Sequence, residues 1–364
     1  MDTSSHREVR TLGPTHTLAD YVSALDKALT ADGPALGCGP VHSTSVRSDI
    51  SLLVATSGST GTPKEIALTA SALTASATAS NKFLKAAKGD TWSLLLPLTH
   101  IAGINVLIRS LELGTEPIDL RNYEGEYPHA DFTAIVPTQL FRALNGDDRL
   151  LRHLQVAKAV LVGGAALAPE VQMQASAAQI NVVTSYGSSE TAGGCVYNGT
   201  PLDGVEVSIT PEKKIALKGA VLATTYLGAQ TLWDTNINDG WLITSDSGRI
   251  ENEKLIVEGR IDDVIISGGE NISLSAIEGS LHAHFPHKSF AAFAIKDPQW
   301  GDALHVAVAG DGFPSENELN EYLVEKFGAP SKPKGYLYLP ELPLIGIGKV
   351  DRKKLQELLM EAPN

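Results

Sequence analysis

Nine consecutive residues, Thr56-Ser57-Gly58-Ser59-Thr60-Gly61-Thr62-Pro63-Lys64, combine hydroxyls, glycines and a lysine directly after the apolar run Leu52-Leu53-Val54. Glycines let a backbone approach a phosphate closely, hydroxyls and N–H groups donate to its oxygens, and an ammonium screens its charge. The stretch therefore reads as a phosphate-binding loop. It is not a Walker A loop, which ends in Gly-Lys-Ser/Thr, because Lys64 here follows Pro63. An expected position between an apolar strand and a helix separates it from a flexible Ser/Gly linker.

Regular elements must hold such a loop. Between residues 50 and 185 the short apolar runs Ser93-Leu94-Leu95-Leu96, Ala134-Ile135-Val136, Ala159-Val160-Leu161-Val162 and Val182-Val183 alternate with helix-like segments. That alternation predicts an α/β fold with doubly wound, mostly parallel sheets. Ile104, Leu107 and Leu111 recur at helical spacing after His100, a second helix is expected after Pro169, and the Ala-, Ser- and Thr-rich stretch 69–80 reads as a third. From residue 204 to 257 short strands separated by Gly, Asp and Asn predict a small β-rich subdomain. After Gly259 the pattern becomes a compact α+β run: helix 274–282, strands 290–295 and 304–308, helix 316–327 and a closing helix from Asp351. The domain boundary falls at 259–263.

The chain has 364 residues, more than the ~100 to 200 usual for one domain, so two domains are expected. Hydrophobic residues make up 43% and charged residues 20%, an ordinary globular composition. With 29 basic against 42 acidic residues and a net charge of -13, the chain would repel nucleic acid and anionic lipid unless a local basic patch intervened, and it has no long basic run, so no nucleic-acid partner is expected. The N-terminal residues lack the apolar core of a signal peptide, and no stretch approaches ~20 uninterrupted apolar residues, so the expectation is a cytoplasmic protein without membrane insertion. Cys38 and Cys195 are too few for a disulfide framework or a cysteine metal site.

The Thr56 to Lys64 string resembles the signature loop of the adenylate-forming superfamily, which comprises acyl-CoA synthetases, non-ribosomal adenylation domains and luciferases. Further motifs follow in that family's order. Gly163-Gly164-Ala165, with Leu167 and Pro169 behind it, is similar to the strand-end loop that holds adenine. Ser185-Tyr186-Gly187-Ser188-Ser189-Glu190-Thr191 is similar to the Tyr-Gly-x-Thr/Ser-Glu motif, whose Tyr stacks on adenine and whose Glu binds magnesium. Trp241-Leu242-Ile243-Thr244-Ser245-Asp246 resembles the Thr-Gly-Asp motif that holds the ribose hydroxyls, and Gly259-Arg260-Ile261-Asp262-Asp263 resembles the hinge whose Arg reaches the ribose. Gly346-Ile347-Gly348-Lys349-Val350-Asp351-Arg352 resembles the C-terminal motif carrying the adenylation lysine. The resemblance spans residues 50–364 and implies an N-terminal ATP- and acyl-binding domain over 1–258, a hinge at 259–263 centred on Asp262, and a mobile lid over 264–364.

The chemistry needs these residue types. Attack of a carboxylate on the α-phosphate of ATP brings like charges together, so cations, backbone donors and a metal are required rather than a covalent nucleophile. Lys349 supplies a compact positive charge, and Lys64 another at the phosphates. Glu190 and the hydroxyl of Thr60 suit Mg²⁺, a hard cation that prefers oxygen. Asp246 can accept two hydrogen bonds from a ribose diol. Thr56, Ser57, Gly58, Ser59, Gly61, Gly163, Gly164, Ala165, Ser185, Tyr186, Gly187, Ser189 and Arg260 complete the expected ATP and AMP contacts, and Gly268-Gly269 resembles the loop near the pantetheine of coenzyme A.

Within the superfamily, Pro97-Leu98-Thr99-His100-Ile101-Ala102-Gly103, the string from Gly193 to Gly199 and the short chain resemble a compact o-succinylbenzoate-CoA ligase of menaquinone biosynthesis. Ser188, Gly193 and Gly194 would leave room for that aryl dicarboxylate, with His100 as a substrate contact and gate. Arg109, nine residues after His100, is expected on the opposite helix face and outside the site. A ligase for another aryl or fatty acid, delivering to CoA or a carrier protein, and a non-catalytic nucleotide-binding module remain alternatives. Ser245 stands where the family has Gly. The signature loop begins early, so a reduced acyl-pocket wall is expected, or one completed by a second subunit in a homodimer. His282, His284 and His287 are not expected to bind metal, since helical neighbours two apart diverge by about 200°.

Overall fold

The computed structural model describes residues 5–13, 15–57, 63–285, 288–310, 312–345 and 349–361; the side chains of Ser57, Pro63, Asp262, Ala283, Ile345 and Lys349 also lie outside that description. The fold is mixed α/β. Its central element is a seven-stranded sheet in the order Thr200–Pro201, Gly193–Tyr197, Val182–Ser188, Ala159–Gly163, Phe132–Ile135, Trp92–Leu94, Ile118–Asp119. The strands from Val182 back to Trp92 pair in parallel. Their inner positions are largely apolar and enclosed, as expected of parallel strands covered on both faces: Phe132, Val160 and Leu161 are all buried. The helix Ile101–Leu113 is the crossover between Trp92–Leu94 and its parallel neighbour Ile118–Asp119, and Gly114 at φ 74° ends it.

A six-stranded sheet runs Thr225–Leu227, Pro63–Thr69, Ile50–Ser57, Ala35–Cys38, His6–Thr11, Ser45–Arg47. Here the structure corrects a local expectation. The phosphate string is not followed directly by a helix; its flanking residues belong to two antiparallel strands, with Thr56 paired to Lys64. Ile66, Ala67 and Leu68 are fully buried and continue as a strand because partners flank them on both sides. Only then does Thr69 cap the helix Ala70–Phe83, its hydroxyl accepting from the Ala72 N–H at 3.2 Å.

The β-rich stretch forms a sheet of Val205–Ile209, Lys214–Gly219, Trp241–Glu251, Ile237–Asn238 and Lys254–Arg260. One of its segments, Thr225–Leu227, leaves it and joins the edge of the six-stranded sheet beside the phosphate hairpin. Residues after Val264 build their own hydrophobic cores, one around Ile277, Leu281, Phe290, Leu304 and Leu319, the other where Leu355 of the helix Arg352–Glu361 meets Ala291 and Phe293. The main core lies between residues 12 and 255. No helix among the described residues is long and apolar enough to cross a membrane.

Candidate active site

A cavity of about 240 Å³ opens at the C-terminal ends of the parallel strands, the usual ligand position in such sheets. All four residues expected in the acyl pocket, His100, Ser188, Gly193 and Gly194, line it, together with Gly163, Gly164, Ser185, Gly187 and Ser189. The glycines are demanded by close packing. A Cβ on Gly193, which sits at φ 97°, would come within 2.1 Å of the Asn105 amide nitrogen, and one on Gly194 within 2.0 Å of the Ser185 hydroxyl.

The helix Ile101–Leu113 forms one wall and overturns the exclusion of Arg109. His100 is not a helical residue; it is the N-cap, extended at φ -126° and ψ 149°. The stripe facing the cavity therefore starts at Ile101 and continues at four-residue steps through Asn105 to Arg109. Arg109 is 4% exposed, donates through Nη2 to the Tyr197 hydroxyl at 3.1 Å and stacks over Trp92 at 5.0 Å. Its Nε is buried without a partner, and among the described residues no carboxylate pairs with it. Asn105 is held by a 2.8 Å bond from its amide nitrogen to the Ala192 carbonyl. Burial holds His100 below the usual histidine range, which favours the neutral ring.

The nucleotide-type residues gather in two groups. In the first, Tyr186 donates to Asp246 at 2.8 Å, and Arg260, register partner of Asp246, lies 3.5 Å from the same carboxylate. Burial, reinforced by Asp246, raises the Tyr186 hydroxyl far above its ordinary value and keeps it a donor. Ser245 is exposed within its strand, so the surface there accepts its Cβ. In the second group, Tyr226 donates to Glu190 at 2.8 Å while Lys64 lies 5.0 Å from the same ring. Ala165 is exposed at the strand-end loop. Gly58, Ser59, Thr60 and Gly61 lie outside the described residues.

Among the described residues no group of three or more His, Cys, Asp or Glu could hold a metal. Mg²⁺ carried on a nucleotide is a separate case, since phosphates and waters supply most of its ligands. His282 is used up structurally, its Nδ1 at 2.8 Å from the Glu278 carbonyl and its Nε2 accepting from the Phe290 N–H; His287 lies outside the described residues. Burial pushes the Cys38 and Cys195 thiols up to about 12, so neither is a nucleophile.

Beyond residue 260, Arg352 joins Asp263 and Glu278, and the backbone of Lys349 pairs with Ile345 three residues before the helix Arg352–Glu361 begins. Gly268 and Gly269 both have left-handed φ, and a Cβ on Gly268 would come within 3.2 Å of Trp300, whose ring carries Lys334 at 3.6 Å. Sequence reasoning missed Asn105 and Tyr226 entirely and misplaced Arg109. An arginine next to the apolar run Val106-Leu107-Ile108 was a signal that could have recovered Arg109.

The chain is similar to known proteins. A family model described as AMP-binding enzyme matches residues 8–221. The chain is 36% identical over 360 residues to a probable 2-succinylbenzoate–CoA ligase of Mycobacterium tuberculosis (strain CDC 1551 / Oshkosh), covering 91% of this chain and 93% of that one. It is 33% identical over 314 residues to the 2-succinylbenzoate–CoA ligase of Escherichia coli K12, covering 83% and 67%. The solved structure of o-succinylbenzoate CoA synthetase (MenE) from Bacillus subtilis, in complex with the acyl-adenylate intermediate OSB-AMP, superposes with a TM-score of 0.77 over 96% of this chain and 83% of that one. At 23% identity that likeness is one of fold.

Proposed function

The chain belongs to the AMP-binding enzyme family, and from that premise we propose that it is an AMP-forming 2-succinylbenzoate–CoA ligase of menaquinone biosynthesis. The succinyl carboxylate attacks the α-phosphate of ATP, the bond to pyrophosphate breaks, and an acyl-AMP forms. The thiol of CoA then attacks the acyl carbonyl and AMP departs, leaving the thioester.

One observation carries the choice of acid. Arg109 brings an uncompensated guanidinium to the wall of the acyl cavity. A buried charge without a partner is costly, and a carboxylate matches a guanidinium geometrically as well as electrically. An acid with a second carboxylate on its ring removes that cost on binding; a mono-acid of the same skeleton does not.

We assign His100 to the acyl group as contact and gate, Asp246 and Arg260 to the ribose, Tyr186 with Gly163, Gly164 and Ala165 to adenine, and Thr56 to Lys64 to the phosphates. Glu190, with Thr60, would hold Mg²⁺, which supplies charge neutralisation between phosphate oxygens. Lys349 delivers the positive charge for adenylation, and Gly268 and Gly269 border the pantetheine, with Lys334 available to a CoA phosphate. Residues 1–258 form the substrate-binding body, 259–263 the hinge at Asp262, and 264–364 the lid, which turns between the two half-reactions. We place the enzyme in the cytoplasm and assign it a homodimeric state.

The test is a thioester assay with ATP, CoA and a panel of acids. 2-Succinylbenzoate is expected to exceed 4-oxo-4-phenylbutanoate, which lacks only the ring carboxylate, by on the order of 10² in kcat/KM, the scale of a buried charge pair losing one partner. Equal use of the two acids, or robust use of a long-chain acid instead, overturns the substrate assignment.

A further inference from the structure

The segment 223–227 was not among the motifs, yet it is stitched to both halves of the phosphate site. The Ala223 N–H donates to the Glu190 carbonyl at 2.7 Å, and the Thr224 N–H to the Ala67 carbonyl at 2.9 Å. Tyr226 itself pairs in register with Ile66, two residues from Lys64. Its side chain is 3% exposed, and the edge of Trp233, 5.0 Å away at 81°, fixes the plane of the ring. From that position the hydroxyl reaches Glu190 Oε1 at 2.8 Å while the ring lies 5.0 Å from the Lys64 ammonium.

A phenol is the side chain suited to this double duty. Its O–H donates to an anion, and its π face attracts a cation. Lys64 and Glu190 carry opposite charges in one small site, and a direct ion pair would consume the carboxylate oxygens a divalent cation needs. Among the described residues no such pair forms, because each charge is held by Tyr226 instead.

We propose that Tyr226 is a positioning residue that orients Glu190 for the magnesium ion and Lys64 for the phosphates of ATP, keeping the two charges apart until the nucleotide arrives. This rests on the assignment of Glu190 to the metal and Lys64 to the phosphates. The hydroxyl occupies one carboxylate oxygen and so selects the rotamer that offers the other. The ring steers the ammonium along the hairpin strand.

The experiment is calorimetric titration of the intact enzyme with α,β-methylene-ATP at a series of Mg²⁺ concentrations, with AMP as the metal-independent control. Tyr226→Phe keeps the ring against Trp233, so packing survives. It is expected to raise the Mg²⁺ needed for half-maximal nucleotide binding by roughly ten- to a hundredfold, as for loss of one hydrogen bond to a charged group, and to leave AMP affinity unchanged. Tyr226→Leu should also weaken nucleotide binding at saturating Mg²⁺, through loss of the contact with Lys64. Equal weakening of AMP and the ATP analogue in Tyr226→Phe would reduce the residue to packing and overturn the proposal. Unchanged magnesium dependence in Tyr226→Phe, with a raised requirement in Glu190→Gln, overturns it while leaving Glu190 at the metal. Unchanged dependence in both removes Glu190 from the metal site and the proposal with it.

Discussion

Two arginines carry a guanidinium into this protein and meet opposite surroundings. Arg352 is saturated: it lies 3.2 Å from both oxygens of Asp263, donates to the two oxygens of Glu278 at 2.9 and 3.0 Å, and reaches the Ala292 carbonyl through Nε. Burial pushes the Glu278 carboxyl up, and Arg352 opposes that shift. Arg109 has a tyrosine hydroxyl, an indole face and an orphaned Nε. A filled donor set holds elements together, in this case the 261–263 turn, the helix Leu274–His284 and the helix Arg352–Glu361. We read the unfilled donors of Arg109 as available to the second carboxylate of the proposed substrate. Burial alone does not separate the two roles; the count of satisfied N–H groups does.

The sharpest way to break the comparison is Arg352→Met, which leaves two carboxylates without their counter-charge. A loss of roughly 3–5 kcal/mol in urea unfolding is expected, as when one member of a buried pair is removed. A loss below about 1 kcal/mol, the value of a surface pair, would make the clamp ornamental.

Because Arg352 anchors the segment that bears Lys349, a second change asks whether the clamp serves catalysis. Lys349→Ala should slow acyl-AMP formation by on the order of 10² to 10³, as for one preorganised charge-stabilising donor, with stability untouched. Its use of prepared acyl-AMP with CoA should stay near wild type. Similar slowing of both half-reactions would mean that the lysine shapes the lid and takes no part in adenylation.

Arg109→Met inverts the first prediction. Replacing an uncompensated cation by an apolar side chain of similar length should leave thermal stability equal to or above wild type, while the advantage of 2-succinylbenzoate over its mono-acid analogue disappears. A destabilisation matching that of Arg352→Met would show that Arg109 is structural and that the two arginines do not differ in kind.

The smallest effect is expected at Ser245→Gly, which restores the family residue on an exposed strand position. Stability should move by no more than about 1 kcal/mol, the entropic cost of glycine, with the KM for ATP unchanged. A large fall in that KM would mean that the Cβ crowds the ribose site.

What could be read along the chain was what depends on neighbours in sequence. The helix Glu316–Phe327 was legible because Ser315 and Glu318 form its capping box three residues apart, and the parallel strands because burial on both faces leaves continuous apolar runs. The contiguous strings from Thr56, Gly163, Tyr186 and Lys349 named the chemistry because backbone shape and side-chain type act within a few residues there. Local periodicity also misled. Counting the helical wheel from His100 put Arg109 on the wrong face, since the capping residue has left helical geometry and only the packed helix shows where its stripe begins. The apolar run 66–68 became a strand because partners from 50–57 and 225–227 flank it, which no window of local sequence contains. Tyr226 was invisible for the same reason: Glu190 lies 36 residues before it and Lys64 farther still, and its role exists only where three separate segments meet. Sequence alone determined which groups are present and which short segments carry them. Tertiary structure decided which charges are satisfied, because whether a buried group finds its partner depends on distances across the fold rather than along the chain.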